Sequence, residues 1–157
     1  MNMIYQPMSY KSWLRVLFLI VLCYGSGLIV ASFNTPATLT WYHSLYLAPL
    51  TPPDWLFGLA WFVLYGLMVW SAFLVWTVAS HRYFYFQLIA MVLWGYTFWQ
   101  AHMTFWSFCI LVALTLFISE MMKEFHRYPK LSARLLVPYL LWVVFASYLN
   151  AYVFMYN

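Results

Sequence analysis

Trp61 and Tyr65, Trp94 and Phe98, and Trp142 and Ala146 stand four residues apart within apolar stretches, so each pair shares one helix face. The last pair belongs to a longer row, Pro138, Trp142, Ala146 and Asn150: a proline kink, a large ring, a small residue and an amide in line. Rings arranged this way either fill the core of a bundle or line a cavity where a flat apolar ligand can stack. Trp41 opens a different kind of segment, W-Y-H-S-L-Y-L-A-P-L-T-P-P-D-W-L-F-G-L-A-W to Trp61. Its Trp41, Tyr42, Tyr46, Pro49, Pro52 and Pro53 stack and stiffen rather than solvate, the make-up of a lid. Conventional catalysis has no such support, because there is no acid/base pair, no nucleophile set beside a base and no metal site. The acids are Asp54, Glu120 and Glu124 alone, and His43, His81, His102 and His126 are not paired at metal-ligand spacing. Glu120 and Glu124 share a face with Lys123 and Arg127 nearby, as solvated ion pairs at a helix end.

The elements that position these rings follow from composition. With 67% hydrophobic and 24% aromatic residues but 6% charged, the 157-residue chain cannot hide its apolar surface in a soluble globule. It reads as an all-α integral membrane protein. The net charge of +4 is not spread as a nucleic-acid stripe, so no nucleic-acid partner is expected. Cys23 and Cys109 both fall inside apolar runs and point to no disulfide framework.

A membrane-crossing helix needs roughly 20 apolar residues. The runs predict five, at about 13–33, 55–79, 83–101, 105–122 and 131–155, with a lid loop at 34–54 and the whole chain as a single membrane domain. The apolar run after Tyr83 is too long for one crossing. It is folded at the polar cluster Gln100, His102, Thr104 and Ser107, with a tight turn near 101–105. Five spans put Lys11, Arg15, Arg82, Lys123, Lys130, Arg127 and Arg134 on one side, which sets the N-terminus in the cytoplasm and the C-terminus outside. Four or six spans would break that segregation. The first run is long enough to span and lacks a small-residue exit, so it reads as an uncleaved anchor.

The second helix carries an explicit start signal. Thr51 serves as N-cap, Pro52 as first helical residue and Asp54 as the acid three residues on, which gives Asp54 a structural task. Trp13, Trp55, Trp76 and Trp106 fall near span ends as an interfacial belt, leaving Trp61, Trp70, Trp94, Trp99 and Trp142 deeper. Cys23, Gly27 and Ala31 form a small-residue stripe on the first helix that lets another backbone approach.

Three pieces of the chain resemble the TspO/MBR family of tryptophan-rich sensory and translocator proteins. They are W-Y-x-x-L-x-x-x-P-x-x-x-P-P-x-W-x-F-G-x-x-W from Trp41 to Trp61, L-Y-G-L-M from Leu64, and A-R-L-L-V-P-Y-L-L-W-V-V-F-A-S-Y-L-N from Ala133 to Asn150. The resemblance implies a bundle of five transmembrane helices, usually a homodimer, with a pocket opening toward the first loop. It implies binding of porphyrins such as protoporphyrin IX or haem, as ligand rather than required cofactor, and in many members of cholesterol or synthetic drugs. By motif position, Trp41, Trp61, Tyr65, Trp94, Phe98, Trp142 and Ala146 face that pocket. Met91 joins them where many members carry asparagine, so a pocket amide gives way to a soft apolar contact. The C-terminal sterol motif lacks its basic residue after Tyr148 and Tyr152, which leaves sterol recognition by that route unsupported and tilts the reading toward a bacterial cell membrane. The expected function is a receptor or sensor-like porphyrin binder. Alternatives are a transporter, for which Asn150 and tyrosines are the few polar candidates on a path, and an enzyme degrading porphyrin photo-oxidatively through Trp61 or Trp142. Axial iron ligation is not indicated for any histidine, and His43, in the lid, is the best placed.

Overall fold

The computed structural model describes residues 9–157. Its elements are α1 (Tyr10–Ser32), α2 (Pro36–Ser44), α3 (Asp54–Val75), α4 (Arg82–Gly95) running into a π-helical turn (Tyr96–Gln100), α5 (Thr104–His126), α6 (Lys130–Leu135) and α7 (Val137–Tyr156). No strand occurs among the described residues. Four helical stretches are long and apolar enough to cross a membrane, namely α1, α3, α5 and the α6–α7 stretch Lys130–Tyr156. The α-helical part of α4 has 14 residues and gains five from the π turn.

The helices pack as a ring. α1 lies against α3 and α4, α4 against α5, α5 against α6 and α7, and α6 closes the circle on α3. Large apolar side chains such as Leu17, Val21, Leu28, Phe62, Ile89, Leu93, Leu116 and Leu141 point outward. An exposed apolar belt of this extent requires a lipid surround. Inside the ring, Leu19, Met68, Phe84, Met91, Leu111, Ile118, Phe125 and Tyr139 are almost wholly buried.

Several boundaries depart from the sequence expectation for identifiable reasons. The segment 34–54 is not simply a loop, since α2 occupies its first half. Thr35 caps α2 by accepting from the Thr38 amide, the Thr38 hydroxyl returns the favour to the Thr35 amide, and Pro36 follows the cap. The expected cap at Thr51 is not formed. α3 starts at Asp54, after Pro53 with φ −59° and ψ 147°, and no side chain caps it. A residue before proline is driven out of the α region, so Pro52 ahead of Pro53 cannot be the first helical residue. α3 ends at Val75 rather than 79, where His81 stacks on Trp76 at 4.0 Å and its Nε2 lies 2.7 Å from the Trp76 carbonyl. α5 continues to His126, past the expected 122, with Lys123 and His126 in its last turn favouring the helix dipole.

The last helix is in two pieces, broken at Leu136 (φ −88°, ψ −9°) two residues before Pro138. Proline supplies no amide hydrogen and its ring crowds the preceding turn. Below the break α6 packs closely on α3, while above it α7 stands away from α3. The turn between α4 and α5 is where expected, and His102 makes it with φ 54°. The small-residue stripe on α1 accommodates a ring rather than a backbone. A Cβ on Gly27 would lie 2.4 Å from Cε2 of Tyr65. Trp70 is on the outer surface, 53% exposed, rather than deep in the bundle.

Candidate functional site

Where α7 splays from α3, a cavity of about 390 Å³ opens between α1, α3, α4 and α7, roofed by α2 and the segment that follows it. That volume falls within the roughly 300–1,000 Å³ of small-molecule sites. Trp61, Tyr65, Met91, Trp94, Phe98, Trp142 and Ala146 all border it. The rings form one connected wall. Trp61 stacks on Tyr65 with centroids 5.8 Å apart, tilts against Trp94 at 6.1 Å and meets Trp142 edge-on at 6.3 Å. Trp94 in turn stacks on Phe98 at 6.2 Å.

Trp41 is the one candidate that does not border the cavity. Its ring lies flat on His102 at 3.8 Å and 7°, and edge-on to Phe98 at 5.4 Å. Its neighbour Tyr42 is the lid residue that reaches inward, buried and on the cavity wall. Helical geometry explains the exchange: successive residues on α2 point about 100° apart, and Thr38 and Tyr42 share its inner face. Burial, aided by the carboxylate of Asp54, pushes the Tyr42 hydroxyl up to about 12, so it is a neutral hydrogen-bonding group.

Other wall residues were not assigned to the pocket from sequence, although Trp99 was read as deep and Asn150 as part of the row on the last helix. Trp99 borders the cavity beside Phe98 because the π turn inserts an extra residue, and nothing in its composition signals that. Tyr24 reaches the wall from α1, its hydroxyl donating to the Phe62 carbonyl at 3.0 Å. Asn150, in the row read on the last helix, is buried, and its Oδ1 accepts from the Ser107 hydroxyl at 2.9 Å and from Trp94 Nε1 at 3.4 Å. Its own amide donates to the Ala146 carbonyl at 3.1 Å. One amide therefore ties α4, α5 and α7 together behind the wall. The indole N–H of Trp142 is buried without a protein partner.

The roof is fastened at three points. His43 Nε2 stands 3.1 Å from an Asp54 oxygen, joining α2 to the start of α3. The Trp41–His102 stack joins α2 to the α4–α5 turn. Asn157 clasps Tyr46 from both sides, its Oδ1 accepting from the Tyr46 amide at 2.9 Å and its Nδ2 donating to the Tyr46 carbonyl at 3.3 Å. The wall beneath is also anchored, with Gln100 Nε2 donating to the Phe33 carbonyl at the end of α1.

The remaining titratable groups are dispersed. No three His, Cys, Asp or Glu side chains gather as metal ligands among the described residues. Cys23 is buried, Cys109 is partly buried, and both are free. Glu120 pairs with Lys123 at 2.6 Å and Glu124 with Arg127 at 3.4 Å at the end of α5. The exposed Glu120–Lys123 pair contributes little to stability, whereas the Glu124 side chain is partly buried.

The sequence profile of the TspO/MBR family matches residues 19–156. The tryptophan-rich protein TspO of Chlorobaculum tepidum is 33% identical over 149 residues, covering 89% of this chain and 94% of that protein. Protein CrtK of Rhodobacter capsulatus is 33% identical over 138 residues, 83% of this chain and 84% of that one. The human translocator protein is 29% identical over 121 residues, 71% and 72% respectively. With an apolar belt, membrane-length helices and an aromatic cavity now joined to a family match over nearly all of its described length, the chain belongs to the TspO/MBR family of integral membrane proteins.

Proposed function

We propose that this protein is a membrane receptor or sensor-like protein whose cavity binds a porphyrin, such as protoporphyrin IX, or a comparable flat hydrophobic ligand. The observation that carries this reading is the continuous aromatic wall of Trp61, Tyr65, Trp94, Phe98 and Trp142 under a fastened roof. Ring faces and edges offer a planar ligand stacking beyond simple burial. The names of the relatives, tryptophan-rich TspO and translocator protein, support a sensing or translocating role. Release or capture at the roof is favoured over passage through the bundle. On the side of the cavity away from the roof, Met68, Ala72, Val75, Phe84 and Phe125 are buried, and the polar side chains buried there are tied up with one another, Ser71 donating to the Ser132 carbonyl and Tyr139 to Gln87, rather than lining a path.

In this reading α4 with its π turn is a fifth membrane span. The N-terminus then faces the cytoplasm with all seven basic residues, the roof and C-terminus face the opposite side, and the protein works as a homodimer in a bacterial cell membrane.

Titration of purified protein with protoporphyrin IX tests the binding. Tryptophan quenching with a Kd of about 1 μM, roughly −8 kcal/mol, is expected. Trp142→Phe or Trp61→Phe should weaken it by about 0.5–1.5 kcal/mol. Absence of quenching in folded protein overturns the proposal.

A further inference from the structure

The formal charge on the cavity wall is a single negative one. Asp54, at the first position of α3, is the only acidic side chain among the described residues that border the cavity, and no Lys or Arg is among them. The seven basic residues lie elsewhere: Lys11 and Arg15 in the first turns of α1, Arg82 at the start of α4, Lys123 and Arg127 at the end of α5, Lys130 and Arg134 in α6. Each of these is at the helix end remote from the roof. The N-terminus of α3 would by itself attract an anion, but the Asp54 carboxylate already offsets that dipole. The nearest group able to carry an opposite charge is the His43 ring at 3.1 Å, and both side chains are a little over half exposed, 53% and 58%. The carboxylate's influence extends to the inner face of the roof, where it helps hold the Tyr42 hydroxyl neutral.

Other polar groups at that end, Asn34 and Thr51 on the wall with Tyr42 above them, are neutral. They can hydrogen-bond an ester, amide or hydroxyl of a ligand, but they cannot neutralise a carboxylate. A ligand whose acidic groups rest at the roof would therefore place them beside Asp54, with no Lys or Arg among the described residues there and only the half-exposed His43 ring near the carboxylate. Repulsion of this kind selects between ligands of the same shape.

We propose that Asp54 is a charge selector at the cavity mouth: the site takes flat aromatic ligands with neutral or cationic peripheral groups in preference to those bearing carboxylates. The proposal rests on the cavity being the porphyrin site, and it names the class of porphyrin-like ligand that fits. The test compares protoporphyrin IX, a dicarboxylate, with its neutral dimethyl ester, both titrated by tryptophan quenching at low salt in one detergent. The measured quantity is the ratio of the two Kd values within each protein, which cancels differences in detergent partitioning and in the folded fraction between variants.

Asp54→Asn should lower the dicarboxylate-to-ester Kd ratio by about threefold, the scale of a unit-charge interaction several ångströms apart near a solvated surface. The change should come from tighter dicarboxylate binding, with the ester unaffected. His43→Gln, which removes the potential counter-charge, should move the ratio the other way. Equal ratios in wild type and both variants overturn the charge selector and leave the binding site standing. Failure of both porphyrins to bind folded wild-type protein overturns the binding reading and the selector with it.

Discussion

Gly27 and Asn150 show how little of the cavity depends on the large rings alone. At Gly27 the missing side chain makes room for the Tyr65 ring, so Gly27→Ala should force Tyr65 aside and lower stability by about 1–3 kcal/mol. Gly25→Ala, where an added Cβ meets nothing within 4 Å, is the matched control and should unfold at the wild-type temperature in the same detergent. Asn150→Leu removes the acceptor shared by Ser107 and Trp94 and should cost about 1 kcal/mol in the same assay. It should also weaken porphyrin quenching, because Trp94 loses the contact that fixes its ring. Tyr42 supplies a pH prediction. Its hydroxyl is raised from an ordinary 10.0 to about 12, so the roof favours the neutral form. The associated stability is complete below pH 10 and is lost as pH rises through about 12. Tyr42→Phe should flatten that alkaline loss, read as thermal stability against pH.

At the scale of elements, the π turn and the α2 cap decide which rings meet the ligand. Deleting Thr97 should convert Tyr96–Gln100 to regular α-helix, which leaves α5 nearly in register but re-aims Phe98 and Trp99 within the turn. The expected outcome is unchanged helical circular dichroism with loss of porphyrin quenching. Thr35→Ala removes the half of the α2 capping box that the Thr35 hydroxyl makes, leaving the Thr35 amide donating to Thr38 Oγ1, and should destabilise that helix by about 1 kcal/mol, seen as faster proteolysis between α1 and α3. These elements also mark where the sequence was readable and where it was not. The pairs Trp61–Tyr65 and Trp142–Ala146 were legible because a four-residue spacing fixes a shared face in any α-helix. Trp99 was legible as a deep ring but not as a pocket residue, because a one-residue π insertion leaves the apolar pattern almost untouched. Tyr42 was passed over for Trp41 because the roof was read as a loop, and a loop has no faces. The Thr35-Pro36-x-Thr38 signal for α2 was present, with threonine in the place usually held by glutamate or glutamine. Thr51 has the residue type of an equally good cap, but Pro53 keeps Pro52 out of the helix.

For the molecule as a whole, composition left little choice but helices in a membrane, and the break at Pro138 then shapes the cavity. α6 seals the ring against α3 at one end, while α7 leans away at the other, and the cavity lies at that second, roofed end. That asymmetry could not be read from hydropathy, which treats Lys130–Tyr156 as one span. Pro138→Ala should let the helix run on through Leu136 and bring α7 toward α3. Porphyrin affinity should fall by about tenfold, or about 1.4 kcal/mol, with thermal stability unchanged or raised. The clasp between Tyr46 and Asn157 adds a dimension of time. Its partners are 111 residues apart, and the Trp41–His102 stack likewise waits for the α4–α5 turn. Chains are made from the N-terminus onward, so the roof emerges from the ribosome long before either fastening exists. Until the far end of α7 has entered the bilayer the roof has at most its His43–Asp54 and Trp41–His102 fastenings, so the closed cavity is completed last.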